Sequence, residues 1–192
     1  MTGRRGAAAR KSIHVLLSLG VAALVWWLPV TTAAVILAAA TALALVIEAA
    51  RRASGRFDRA FHARLGPMLR PAESRRLTGA TTLALGYTLT VVLLPGLPAL
   101  AGILFAGVAD AVAAVVGRRW GRHRYAGGKS VEGSLAFLAV AAAIAAGLGA
   151  GLVAAVGVAV VVTIIEALTL RIDDNLYLPL AGAVVFSILA GV

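Results

Sequence analysis

At 192 residues, 61% hydrophobic and 14% charged, with a mean hydropathy of +0.96, the chain falls well short of the roughly 25% charge typical of a soluble domain. Its 18 Lys and Arg against 8 Asp and Glu give a formal net charge of +10. In so apolar a chain that excess points to an integral membrane protein with basic flanks, with no nucleic-acid partner. The absence of cysteine excludes disulfides, thiolate metal sites and thiol nucleophiles.

In chain order, the apolar runs predict seven spans over about residues 12–29, 31–50, 77–95, 98–117, 132–148, 151–170 and 176–191, some shorter than the roughly 20 residues a span needs. The expected fold is one all-α domain over 1–192, a polytopic bundle. The basic N-terminus followed by an apolar run has the outline of a signal peptide, but the second apolar stretch follows after only "LPVTT", which suits a helical hairpin. The tight turns "LPV", "PGLP" and "GLGAG" carry Pro or Gly, which break helices. Between spans two and three, "SGRFDRAFHARLGPML" sets Phe57, Ala60, Phe61, Leu65 and Met68 at helical spacing opposite arginines. That predicts one amphipathic helix on the membrane surface.

The charges are one-sided. All 18 basic residues lie before span one, between spans two and three, between spans four and five, or after span six. With seven spans these segments share one face, which the positive-inside rule makes cytoplasmic. The N-terminus is then inside and the C-terminus outside, and anionic membrane lipids are expected partners. The bias of Arg over Lys, with abundant Ala, Gly and Val, suits a GC-rich prokaryotic genome and so a multi-pass protein of the cell (inner) membrane. Glu48, Asp58, Glu73, Glu132, Asp173 and Asp174 lie in or beside the basic segments, and Glu166 about one turn inside span six. Asp110 lies deepest, seven residues before Gly117 and so about 10 Å into the membrane.

The loop "GRHRYAGGKSVEGS" has the look of a phosphate loop. A Walker A motif would put its first Gly at position 123, where His123 stands, and would follow a strand; here a membrane helix precedes it. Its parts still suit an anion. Gly127 and Gly128 let backbone approach a ligand, Lys129 adds a point charge, Ser130 caps span five, and Glu132 sits near the first turn. Arg118, Arg119, Arg122 and Arg124 surround the loop. An anchor on lipid headgroups explains the loop alone equally well. Three other groups add weight. In "VADAVAAVVG", Asp110, Ala113, Ala114 and Gly117 share a helix face, a small-walled groove with a carboxylate at its deep end; a structural ion pair is the alternative. Arg10, Lys11 and His14 share a face at the start of span one, fit to grip a phosphate or to anchor the helix. Asp173, Asp174 and Asn175 begin span seven, where they suit Mg²⁺, an N-cap at Asp174 or Asn175, or both.

In their order, "RKSIH", "RPAESRRLTGAT", "ADAVAAVVGRRWGRHRYAGGKSVEGSLA" and "EALTLRIDDNLYLPL" resemble the CTP-dependent lipid-alcohol kinases, a family that includes dolichol kinase, phytol kinase and a CTP-using diacylglycerol kinase. The resemblance covers roughly residues 10–182. It implies phosphoryl transfer from CTP to a membrane-embedded alcohol, with Mg²⁺ as cofactor. On this chain it implies an essential basic pair at Arg10 and Lys11, an essential aspartate at Asp110, a glycine at Gly117, and a nucleotide loop from Gly121 to Gly133. That loop contains Arg122, Gly127, Gly128, Lys129, Ser130 and Glu132, with Arg118 just before it. His14 joins the catalytic set. Asp110 is assigned to Mg²⁺ or to orienting the lipid hydroxyl, and Asp173 and Asp174 to Mg²⁺. Glu73, Glu166 and Asn175 are further candidates. Longer family members carry extra spans, so the alcohol stays open, as does the oligomeric state. A phosphatidate cytidylyltransferase would need the same loop and metal but release pyrophosphate, and its aspartate-rich C-terminal signature is not found here. A small transporter fits worse, because the polar groups cluster at one face.

Overall fold

Runs of Ala, Leu and Val in an apolar setting have one economical solution, the helix, which satisfies its own backbone. The computed structural model describes residues 2–66, 69, 76–168 and 172–192, with side chains for all of these except 2–8 and 126. Eight helices run through the described residues: α1 (Thr2–Trp27), α2 (Val30–Ala53), α3 (Gly55–Leu65), α4 (Gly79–Leu93), α5 (Leu97–Trp120), α6 (Val131–Gly147), α7 (Leu152–Ala167) and α8 (Asp174–Ala190). The expected side chains Met68 and Glu73 lie outside the described residues, as does Arg171.

All seven apolar helices form where the sequence places them, but their lengths differ from the expectation. Among the described residues, three are long and apolar enough to cross a membrane: Ala9–Trp27 within α1, then α2 and α5. Helices α4, α6, α7 and α8 have 15, 17, 16 and 17 residues. At 1.5 Å per residue they measure about 22–26 Å, less than the roughly 30 Å hydrocarbon core. The turns that separate the helices also trim them. Pro95 and Gly96 follow the end of α4, and Gly149 adopts φ 94° between α6 and α7, a conformation only glycine enters without strain. Outward side chains of the long helices are apolar, with Leu16 68%, Val35 68% and Val46 64% exposed, as expected of helices facing lipid.

Helix α5 is the central element, contacting α1, α4, α6 and α8, while α8 also packs on α4 and α7. These contacts are backbone-close because glycines face them. A Cβ at Gly102 would stand 2.0 Å from the Pro179 carbonyl oxygen, one at Gly86 2.3 Å from that of Asn175, and one at Gly107 2.2 Å from Ser18 Cβ. Small residues at such crossings let helices meet where no hydrophobic force between them is available. Phe105, Phe137, Phe186 and Tyr87 fill the interior. Partway along α5, residues Phe105–Ala109 form one π-helical turn, closed by the Asp110 N–H donating to the Phe105 carbonyl.

At the corner of α2, α3 and α4 a buried ionic hub replaces apolar packing. Glu48, 2% exposed, accepts from Arg51 at 3.2 Å, from the Thr78 backbone N–H at 2.8 Å and from the Thr81 hydroxyl at 3.2 Å. Arg52 adds a contact at 3.6 Å. Arg51 then reaches Asp58 on α3 at 3.0 Å, and its guanidinium lies 4.5 Å above the Phe61 ring. Ser54 caps α3, accepting from the Phe57 N–H.

Candidate active site

Two cavities meet at Asp110. The first, about 230 Å³, is lined by Arg10, Lys11, His14, Asp110, Asp174 and Asn175, by Thr78, and by apolar side chains that include those of α1, α3 and α4. The second, about 250 Å³, runs from Asp110 past Ala113, Ala114 and Gly117 to the glycine loop, with Arg118, Arg124, Lys129 and Glu166 in its walls. The groove face read from "ADAVAAVVG" is therefore a cavity wall, and Arg10, Lys11 and His14 do share one site with Asp110.

Lys11, Asp110 and His14 each have a partner within the chain. Lys11 Nζ donates to the Asp110 carboxylate, both side chains being about one-fifth exposed. His14 Nε2 donates to the Ala106 carbonyl at 3.1 Å, within the π turn, where the widened helix changes which carbonyls are used internally. That bond makes Nε2 the protonated nitrogen in the neutral ring and leaves Nδ1 as the acceptor. Ser18 ties the next turn of α1 to the His14 carbonyl at 2.7 Å and to the Tyr87 hydroxyl at 2.6 Å.

The loop is a compact turn, and several of its residues serve it differently from the expectation. Gly127 and Gly128 take φ of 73° and 75°, as a ligand-approaching turn requires. Arg124 donates to the Gly128 and Gly117 carbonyls at 3.0 and 3.3 Å, clamping the loop onto the end of α5. Ser130 caps α6, accepting from the Gly133 N–H at 3.1 Å. Gly117, Gly121 and Gly133 crowd around that Ser130 side chain; a Cβ at Gly121 would stand 2.2 Å from the Gly117 carbonyl oxygen. Their first role is to let α5 and α6 cross closely. Lys129, expected as an exposed point charge, donates to the Glu166 carboxylate at 2.7 Å and also to the Glu166 carbonyl. The carboxylate is 8% exposed, so the ammonium is the counter-ion of a buried acid. Glu132 pairs with His123 at 2.8 Å, and neither lines a cavity wall together with the loop glycines. Arg122 is exposed, and Arg119 stacks on Trp120 at 5.1 Å.

At the start of α8 the N-cap is Asp173, not Asp174 or Asn175 as the sequence suggests, and it accepts from the Asn175 N–H at 3.0 Å. Asp174 lines the first cavity beside Asp110, while Asn175 Nδ2 donates to the Gly79 carbonyl at 3.3 Å. Both acids accept from the Asn175 N–H, Asp174 Oδ1 also at 3.0 Å, and of the two Asp174 lines the cavity. Among the described residues no group of three or more His, Cys, Asp or Glu side chains is placed to hold a metal. A metal here would rely on substrate oxygens beside Asp110 and Asp174.

Sequence reasoning missed the Glu48 hub and the pairing of Lys129 with Glu166. The hub had a signal: a glutamate ending an apolar run, with arginines at i+3 and i+4. Comparison of the chain with protein-family models, curated proteins and solved structures finds no match.

Proposed function

We propose that the chain is a CTP-dependent kinase of a membrane lipid alcohol, acting at the cytoplasmic interface. The observation that carries this reading is the junction of two unlike cavities at one carboxylate. A lipid alcohol needs an apolar cavity with a polar end, and a nucleoside triphosphate needs a glycine turn with cations; Asp110 lines both. In the reaction the lipid hydroxyl oxygen attacks the γ-phosphorus of CTP, the bond from that phosphorus to the β,γ-bridging oxygen breaks, and CDP leaves. Asp110 orients the hydroxyl and receives its proton. Arg118, Arg124 and Lys129 line the phosphate side, and Arg10 and Lys11 the alcohol side, so the chain contributes mainly position and charge neutralisation. Asp110 and Asp174 fit Mg²⁺, which commonly takes one or two carboxylates together with substrate phosphates; when bound it would neutralise charge on the transferred group.

The same reading takes all seven apolar helices as membrane-crossing, with the N-terminus, the 118–133 loop and the start of α8 cytoplasmic. It is supported by the one-sided distribution of the 18 basic residues. Short helices are accommodated by local bilayer thinning at modest cost. The deciding experiment incubates the purified protein with Mg²⁺, γ-labelled CTP and a panel of lipid alcohols, with phosphatidate in a parallel reaction. Labelled lipid phosphate with equimolar CDP is the expected result. Pyrophosphate and a CDP-lipid would overturn the kinase in favour of a cytidylyltransferase.

A further inference from the structure

Helix α3 has none of its residues buried, yet it is fixed in place. Its apolar face covers the first cavity, with Phe61 and Leu65 in the wall and Leu69 just beyond. Ile13 and Leu17 of α1 and Ala80 and Leu83 of α4 form the remaining apolar lining. What holds α3 there is the ionic hub. Arg51, its side chain 4% exposed, bonds Asp58 and covers the Phe61 ring, and is itself fixed by Glu48. The same Glu48 binds the Thr78 N–H, and Thr78 lines the cavity too. One buried acid therefore sets the spacing between the α3 wall and the α4 wall.

We propose that α3 is the selectivity wall for the hydrocarbon chain of an amphiphilic alcohol. Phe61 and Leu65 touch the chain, and Arg51 and Asp58 are positioning residues that set where Phe61 stands. The occupant follows from the lining, which joins charged and amide groups of α1, α5 and α8 to apolar side chains of α1, α3 and α4, as an alcohol with a long apolar tail requires. The assignment rests on the lipid-alcohol reading for the head end alone.

The test has two arms. In the first, the full chain in phosphatidylcholine nanodiscs is irradiated with a long-chain alcohol bearing a diazirine in its tail, and labelled peptides are mapped by mass spectrometry. Saturable labelling within residues 57–65, competed by the unlabelled alcohol but not by its methyl ether, is expected; labelling that spares this helix overturns the proposal. In the second, the ratio of kcat/KM for a branched polyprenol to that for a straight-chain diacylglycerol is measured. Phe61→Ala should raise it and Leu65→Phe lower it, each by about ten-fold, the scale of small volume changes in an apolar pocket. Asp58→Asn should raise KM for the lipid and not for CTP, with Asp58→Glu restoring it. A ratio unmoved by either wall substitution sinks the selectivity wall while leaving the kinase intact. Competed labelling of α3 without CDP release does the reverse.

Discussion

Two charged corners border the same cavity and are built in opposite ways. At the α2–α3–α4 corner, Glu48 is 3% exposed in its side chain and has backbone, hydroxyl and guanidinium donors around it. At the α1–α5 corner, Asp110 is 22% exposed and, among the described residues, its one ion-pair partner is Lys11, itself 23% exposed. A buried acid is tolerable only when its lone pairs are filled, and a saturated acid has nothing left to offer a ligand. A partly exposed acid whose one described ion-pair partner is also partly exposed can exchange that partner for substrate. The depth expected from the sequence singles out Asp110, but that expectation does not separate the two corners; the number of donors does.

Substitutions that strip each corner should therefore separate in melting temperature, measured in detergent. Glu48→Ala leaves Arg51 buried without its acid and should cost about 3–5 kcal/mol; Glu48→Gln, which keeps an acceptor for the Thr78 N–H, should cost less. Lys129→Ala comes next. It strands the buried Glu166 carboxylate, so a loss of about 2 kcal/mol is expected, and adding Glu166→Gln should recover much of it, as coupled neighbours do. A Lys129→Ala variant that melts like the wild type would mean that the ammonium is not the counter-ion of Glu166. Ser130→Ala removes the cap of α6 and should cost about 1 kcal/mol. Asp110→Asn should move stability least, by no more than about 1 kcal/mol, since its pair is partly exposed. On the same sample, CDP release with a lipid alcohol should vanish. If Asp110→Asn instead melts as low as Glu48→Ala and keeps its specific activity, the two corners are alike and the site is misplaced.

The helices were legible because apolar runs and Pro or Gly turns are local signals. So was the shared face of Asp110, Ala113, Ala114 and Gly117, since helical spacing alone brings them together. The cap at Ser130 could likewise be read from its neighbours. The partners could not. Lys129 and Glu166 are 37 positions apart, and Glu48 and Thr78 are 30 apart; such pairings exist only after the helices pack. The split between Asp173 and Asp174 was hidden for a related reason, because adjacent residues differ in direction by a backbone geometry that composition does not encode. For α3, amphipathicity identified the face carrying Phe61 and Leu65, but an apolar face looks the same whether it meets lipid tails or a cavity.

The π turn of α5 is in effect a single inserted residue. Deleting one residue, Val108 for instance, would restore an unbroken α-helical ladder and improve the local geometry. Because the π turn absorbs its extra residue locally, with the Asp110 N–H bonded five residues back, the helix beyond the deletion would keep its facing relative to what precedes it. Asp110 would keep its place, while the Ala106 carbonyl would be drawn back into the ladder and away from His14. The irregularity therefore serves the acceptor offered to His14 and not the facing of the carboxylate.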